Sequence, residues 1–306
     1  MFQTTGVSLL LLCLTALSAA EDYDFARVDV PGATSTIVNT INARGDIVGN
    51  FTDVDGTGHG FLLRQGVFSV IDFPGASFTA ARSINARGDI AGRFSDANGN
   101  QHGYVLRDDH FTKIDYPGAS ATVVRGINNA GDISGNYLDS TGLEIGFIFQ
   151  DGRFQKVQAA QSNACSTDVW MVQDNGRTAV GDLCKNSDST LYGYLRRQPG
   201  SGFQLISFPN TGSFPCTSSR YINEKGDISG IYVIANSEDE CYNSGSLRGF
   251  LLRQGKYIAI DVPGATDTAV TAVNDDGVIV GFYYDEQGVS HGFKGVRKDR
   301  SSMLVR

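Results

Sequence analysis

Residues 36 to 73 hold four short stretches of alternating or continuous apolar residues: "TIVNTIN" (36–42), "DIVGNFT" (46–52), "HGFLLRQ" (59–65) and "FSVIDF" (68–73). Each is rich in β-branched and aromatic side chains, and glycine-containing turns ("ARG", "DVDGTG" and "G") separate them. Short β-type runs bounded by Gly, Asp and Asn predict antiparallel strands joined by tight hairpins. No segment of the chain sustains a 3.6-residue period, so helix is expected to be minor.

The same pattern then recurs. "INARGDI" occupies 41–47 and again 84–90, a spacing of 43 residues. One recurring element is "DVPGATST" (29–36), "DFPGASFT" (72–79), "DYPGASAT" (115–122) and "DVPGATDT" (261–268), with "SFPNTGSF" (207–214) as a worn copy. A second is "INARGDIVG" (41–49), "INARGDIAG" (84–92), "INNAGDISG" (127–135), "INEKGDISG" (222–230) and "VNDDGVIVG" (273–281), with "VQDNGRTAVG" (172–181) as a degraded copy. A third is the triplet "HGF" (59–61), "HGY" (102–104), "IGF" (145–147), "YGY" (192–194), "RGF" (248–250) and "HGF" (291–293). Four strands in about 43 residues is the spacing of a β-propeller blade. The expected fold is therefore an all-β, six-bladed β-propeller of four-stranded antiparallel blades. The ends of the array are complementary. "FARVDV" (25–30) matches a fourth strand and "HGFKGVR" (291–297) a third, so the N-terminal strand is expected to complete the last blade and close the ring.

The pattern "HGF…IDFPGA…INARGDI.G" resembles the extracellular repeat family named for its His-Ala-Phe triplet. The likeness covers nearly all of 25–297, although Gly replaces Ala in the middle of the triplet here. It implies an exported repeat protein and carries no catalytic residues with it.

Export is also read from the first residues. "VSLLLLCLTAL" (7–17) is too short to span a bilayer, and "SAA" (18–20) places small residues where a signal peptidase cuts. The expected organisation is a signal peptide at 1–20, one propeller domain at 21–297 and a tail at 298–306, with no membrane span once the signal is removed. Secretion, to the extracellular space or a periplasm, follows. Four cysteines then remain, an even number in an exported chain. Cys165 and Cys216 fall in connections between a fourth strand and the next first strand. Cys184 and Cys241 fall between second and third strands of the same repeats. Both loop types leave an up-and-down blade at one end, so the repeat predicts Cys165–Cys184 and Cys216–Cys241 bridges stapling one face. The longest insert, "IANSEDECYNSGS" (234–246), lies on that face.

The chain has a net charge of −8 and a pI near 5.0, with no basic stripe, which excludes a nucleic-acid partner. No C-x-x-C pair exists and the four His lie far from the cysteines in sequence, so no metal site is expected. The tips "DVDGTG" (53–58) and "DANGNQ" (96–101) lack the spacing of a calcium loop and read as hairpin ends, able at most to bind calcium weakly; no other cofactor is implied. Residues recurring in every repeat are assigned to the blade itself. Asp46, Asp89, Asp132, Asp227, Asp29, Asp72, Asp115 and Asp261 are expected to bond backbone N–H groups in turns. Arg44-Gly45-Asp46 and Arg87-Gly88-Asp89 are turns first and adhesion motifs only by coincidence, since "NAGD" and "EKGD" fill the same place. His59, His102 and His291 are expected to hydrogen-bond within their blades.

Specificity in such an array lies where the repeats differ. Two positions before the Ile or Val that ends the first strand stand Asn39, Arg82, Arg125, Trp170, Arg220 and Thr271. With Tyr221 beside them, they are the candidate ligand site at the channel mouth. Arg suits a carboxylate, sulfate or phosphate, and Trp suits the face of a sugar. The leading expectation is non-catalytic binding of an extracellular anionic glycan or a protein surface on the stapled face. The alternatives are a propeller hydrolase or lyase acting on a carboxylate-bearing sugar, for which no catalytic residue is assigned, and a structural, envelope-associated protein.

Overall fold

A computed structural model describes residues 23–159, 166–185, 190–209 and 211–298. The proposed signal segment 1–20 and nearly all of the tail lie outside them. The described residues are almost all strand and turn, with one five-residue helical turn at Glu240–Ser244.

The first strand, β1 (Tyr23–Val28), belongs to the last repeat. The first repeat folds as β2 (Ser35–Ile41), β3 (Ile47–Thr52), β4 (Gly58–Arg64) and β5 (Val67–Ile71). The second gives β6 (Phe78–Ile84), β7 (Ile90–Ser95), β8 (Gln101–Arg107) and β9 (His110–Ile114). The third gives β10 (Ala121–Ile127), β11 (Ile133–Leu138), β12 (Glu144–Gln150) and β13 (Arg153–Val157). The fourth gives β14 (Thr167–Val172), β15 (Ala179–Lys185), β16 (Thr190–Arg196) and β17 (Gln204–Ile206). The fifth gives β18 (Thr217–Ile222), β19 (Ile228–Val233), β20 (Leu247–Arg253) and β21 (Lys256–Ile260). The sixth gives β22 (Asp267–Val273), β23 (Ile279–Tyr284) and β24 (Ser290–Arg297), and takes β1 as its outer strand.

Each repeat is an antiparallel meander of four strands. The first two meanders are linked by a single parallel pair, Gly58 with Phe78. β1 lies antiparallel on β24 in a register running from Tyr23 opposite Arg297 to Val28 opposite Gly292. The strand is therefore two residues earlier than the 25–30 read from sequence.

Three local devices make the repeat fold this way. In "DVPGA" the turn Val30-Pro31-Gly32-Ala33 closes with Ala33 N–H donating to Val30 C=O at 3.1 Å, with Gly32 at φ 80°. Proline in the second place and a glycine with positive φ in the third define that turn. The Thr that ends the element then accepts the backbone N–H ahead of the proline: Val30 N–H to Thr36 Oγ1 at 3.1 Å and Phe73 N–H to Thr79 Oγ1 at 3.0 Å. In "NARGD" the Asn42 side-chain oxygen accepts from Arg44 N–H at 2.9 Å and Asp46 N–H at 3.0 Å, which folds the hairpin.

The aromatic of each triplet is the heart of its sheet. Phe61, Tyr104, Phe147, Tyr194, Phe250 and Phe293 are all fully buried. The glycine before it sets how closely neighbouring sheets pack. A Cβ on Gly103 would lie 2.4 Å from Val124 Cγ2, and one on Gly292 would lie 2.6 Å from Val38 Cγ2. An alanine there would push adjacent sheets apart, which accounts for Gly in place of the Ala of the resembled triplet.

The sheets are also tied by amides. Asn42 Nδ2 donates to Asn85 C=O at 3.1 Å, Asn85 to Asn128 C=O at 3.1 Å and Asn128 to Gln173 C=O at 2.9 Å. Gln173 Nε2 donates to Asn223 C=O at 2.6 Å, Asn223 to Asn274 C=O at 3.1 Å and Asn274 to Asn42 C=O at 3.4 Å. The sixth repeat thus bonds the first.

The repeated carboxylates serve the blade, but by a different route from the backbone turns expected. Asp46 is buried and accepts from Asn42 Nδ2 at 3.1 Å and Arg44 Nη2 at 3.1 Å, with Arg64 Nε at 3.3 Å. Asp89 repeats this with Asn85, Arg87 and Arg107. The arginine of each Arg-Gly-Asp run is thus folded back on its own aspartate. Asp72 and Asp115 hold His59 and His102 instead, each 3.0 Å from the ring Nδ1, and Asp29 holds His291 at 2.9 Å. The acids at the tips cap hairpins: Asp53 Oδ1 accepts from Asp55 N–H at 2.9 Å and Thr57 N–H at 2.8 Å.

Candidate functional site

Each innermost strand is irregular at one place. The register against its neighbour shifts between Val38 and Thr40, Ala81 and Ser83, Val124 and Gly126, Val169 and Met171, Ser219 and Tyr221, and Val270 and Ala272. The extra residue in each case is Asn39, Arg82, Arg125, Trp170, Arg220 or Thr271. A β-bulge re-aims a side chain out of the pleat, so the variable position is the one turned away from the sheet. The glycine that ends the second motif makes the bulge feasible. A Cβ on Gly49 would sit 2.1 Å from Ile37 C=O, and one on Gly181 only 1.9 Å from Asp168 C=O.

The six bulge residues converge on one cavity of about 170 Å³, which Tyr221 also lines. The structure therefore brings all seven residues singled out from sequence together. One wall is cationic and aromatic, from Arg82, Arg125, Trp170 and Arg220. Ile37, Ile231, Ala269 and Phe282 add apolar surface, and Asn39, Thr40 and Thr271 complete the lining. Tyr221 also lines a second, smaller space of about 50 Å³ among the asparagine turns, so it stands between the two.

Two guanidinium groups pack on Trp170. The Arg125 guanidinium carbon lies 4.1 Å from its ring and that of Arg220 lies 3.8 Å. Two cations thus stack on the Trp170 ring. Its Nε1 donates to Asp182 Oδ2 at 2.7 Å. Asp182 also accepts from Ser218 Oγ at 2.8 Å and Ser219 N–H at 3.0 Å. Burial pushes the Asp182 carboxyl up to about 6, against the pull of Arg220. Arg125 is held from behind, with Nε donating to Asn136 Oδ1 at 3.0 Å and Nη2 to Asp168 Oδ2 at 3.1 Å. Glu144 completes this layer through Asn136 and Arg125. Burial, with the Asp168 charge beside it, pushes Glu144 up to about 7.

Arg82 differs from Arg125 although it occupies the same place in the repeat. No carboxylate is within reach of it among the described residues, and its Nε is buried without a hydrogen-bond partner, as is Arg220 Nε. Burial, then the positive charges of Arg125, Arg93 and Arg220, push its pKa well down. A guanidinium keeps its proton at ordinary pH, so this shift measures unrelieved desolvation. Burial likewise pushes the Tyr221 phenol up, leaving it neutral.

Sequence reasoning missed Asp168, Asp182, Glu144 and Asn136. The residue after the glycine of the second motif runs Asn50, Arg93, Asn136, Asp182, Ile231 and Phe282 around the repeats. That column varies as much as the one that exposed the arginines. Asp168 stands where other repeats have Ile37, Ala80, Val123, Ser218 and Ala269, a charge in a mainly apolar column.

On the stapled side, the Cys216–Cys241 bridge is present, with S–S 2.07 Å and Cα–Cα 5.6 Å. It ties the insert to the segment leading into β18, where Phe214 N–H also donates to Ala235 C=O at 3.0 Å. Cys184 is disulfide-bonded, but Cys165 lies outside the described residues, so the second expected bridge falls there.

Solved structures resemble this arrangement. AofleA from Arthrobotrys oligospora aligns with a TM-score of 0.53 over 92% of this chain and 91% of its own, at 11% identity. A mutant of Aleuria aurantia lectin, in complex with alpha-methyl-L-fucoside, aligns at 0.50 over 86% of this chain and 93% of its own, at 12% identity. The chain has a β-propeller repeat fold. At such identities the likeness speaks for the fold alone. No protein-family model matches, and no curated protein matches either, so the His-Ala-Phe likeness rests on the repeat residues themselves. The stacked meanders are thus propeller blades, and the Arg–Trp cavity lies among their innermost strands.

Proposed function

We propose that this β-propeller closes as a ring of six blades spanning 21–297 and is exported behind the segment 1–20. There it binds an anionic glycan, without catalysis, in the cavity of Arg82, Arg125, Trp170 and Arg220. Closure is supported by β1 lying on β24 and by the Asn274 amide reaching Asn42 C=O at 3.4 Å. Export is supported by the Cys216–Cys241 bridge, since disulfides persist in oxidising compartments. The carbohydrate reading draws support from the lectin among the fold's neighbours, one of which holds a fucoside. The observation that carries the proposal is a cavity lined by three arginines, two of which bury an unpartnered Nε.

A volume of about 170 Å³ is below the several hundred Å³ of a drug-sized pocket and fits a single sugar ring. Binding is favoured over chemistry because Asp168, Glu144 and Asp182 stand behind the Arg–Trp layer and not on the cavity wall. Tyr221, which is on the wall, is too weak an acid to act as a base near neutrality. A glycan array probed with the full chain and with Arg220→Ala tests the reading. Signal on acidic glycans that the variant loses supports it. No signal on any glycan, or signal untouched by the substitution, overturns it; the latter would move the contact to the looped surface and a protein-like partner.

A further inference from the structure

Arg82 and Arg220 each leave one buried guanidinium N–H without an acceptor, and both side chains line the cavity. Their other neighbours do not relieve them. Asp182 spends its two oxygens on Trp170, Ser218 and the Ser219 backbone. Asp168 Oδ2 is committed to Arg125. A buried donor without an acceptor is costly, and such groups in folded proteins call for an explanation. Asp168 Oδ1 and Ser219 Oγ are also buried without a partner; the guanidinium surfaces of Arg82 and Arg220 that line the cavity can take two acceptor atoms from outside the chain, one on each.

The rest of the cavity restricts what carries those atoms. Phe282, Ile231, Ala269 and Ile37 add apolar surface that favours the apolar face of a sugar, while Asn39, Thr40 and Thr271 complete the lining with polar groups for its hydroxyls. Tyr221 lines both this cavity and the narrower space of about 50 Å³ within the asparagine turns. A cavity of about 170 Å³ has room for one sugar ring, such as the end of a chain.

Resting on the reading that this cavity is the glycan site, we propose that it captures the terminal residue of an acidic glycan end-on. The sugar's carboxylate bridges Arg82 and Arg220 and its apolar face lies on Phe282 and Ile231. A carboxylate has two oxygens in one plane to match two guanidinium donors. Arg125, fixed by Asp168 and Asn136, and Trp170, fixed by Asp182, hold the arginine wall in place before the ligand arrives.

Calorimetric titration of the full chain tests this, with D-galacturonic acid, its methyl ester, galactose 6-sulfate and long polygalacturonate as probes. The acid should bind roughly ten-fold or more tightly than the ester, since a charge-assisted hydrogen bond is lost in the latter. Arg82→Met should remove that difference, and Arg82→Lys should restore part of it. Polygalacturonate should saturate at one protein per chain. Equal binding of acid and ester, or tighter binding of the sulfate, overturns the carboxylate assignment and leaves glycan binding standing. Several proteins per polymer chain overturn end-on capture. No binding of any sugar, acidic or neutral, overturns the glycan site and this inference with it. A thermal melt shows that each variant is folded before it is titrated.

Discussion

Replacing Arg82 and Arg125 by methionine should move stability in opposite directions, although they are the same residue at the same place in adjacent repeats. Arg82 buries an Nε with no acceptor and no hydrogen-bonded carboxylate. An unsatisfied buried polar group costs about 1–3 kcal/mol, and methionine keeps most of the side-chain length without that atom. Arg82→Met should therefore raise unfolding stability by about 1–3 kcal/mol. Arg125 is the reverse case. Its Nη2 meets Asp168 at 3.1 Å, with side-chain exposures of only 16% and 12%. Removing one partner of a buried pair strands the other charge, at about 3–5 kcal/mol; the residual exposure puts Arg125→Met near the low end. For a domain of this size about 1 kcal/mol shifts the melting temperature by about 2 °C. Calorimetry without ligand should thus show Arg82→Met melting about 2–6 °C above wild type and Arg125→Met about 6 °C below it. Lower melting of Arg82→Met would refute the argument, because it would mean that the guanidinium is already satisfied within the chain. The same variant should lose carboxylate binding, as expected where a strained site is kept for function.

Breaking the Cys216–Cys241 bridge by the double Cys→Ser change should cost about 3.5 kcal/mol on chain-entropy grounds for its separation of 25 residues, and equilibrium urea unfolding measures it. Gly49→Ala should prevent folding or lower the melting point by tens of degrees, since its Cβ would lie 2.1 Å from Ile37 C=O; a normal melt would show that the bulge can relax. The hydrogen bonds of Asp72 and Asp53 outweigh burial and raise the His59 pKa. A raised folded pKa means stability that is full below about pH 6.5 and is lost as pH rises through the folded value. His59→Gln should flatten that part of the stability profile, and an unchanged profile would count against the carboxylate clamp. Asp182, raised to about 6 by burial, has the same sign in a lower window: stability should fall as pH climbs from about 4 to 6, and Asp182→Asn should remove that slope.

The architecture was legible in the repeats because each recurring residue has one physical job. The triplet aromatics are the sheet cores, the triplet glycine sets the spacing between sheets, and the Asn of "INARGDI" bridges to the next repeat. The six bulge residues were legible because the bulge repeats, so one column of the repeats lines one cavity. What lay behind them was not. Asp168 and Asp182 come from other columns, and only the geometry shows that they hold Arg125 and Trp170. The surroundings of Trp170 were hidden for the same reason. A column records which residue sits at the bulge and says nothing of the two arginines from neighbouring strands that pack on its ring. The repeated aspartates serve the blade, but beside partners in their own turns they take histidines and arginines from other strands, which turn chemistry alone does not predict.

Laying Tyr23–Val28 against Ser290–Arg297 has a kinetic consequence. Five meanders can form from neighbours in the chain, whereas the sixth needs strands from opposite ends of the array. Such distant pairing is slow, because the entropy of bringing far-apart segments together is lost before any contact compensates it. Until it forms, β24 presents bare N–H and C=O groups that invite a second copy to dock there. Nascent chains should therefore be most prone to clump in the interval between completion of β24 and arrival of the amino-terminal strand, and a short peptide copy of residues 23–28 should compete for that edge.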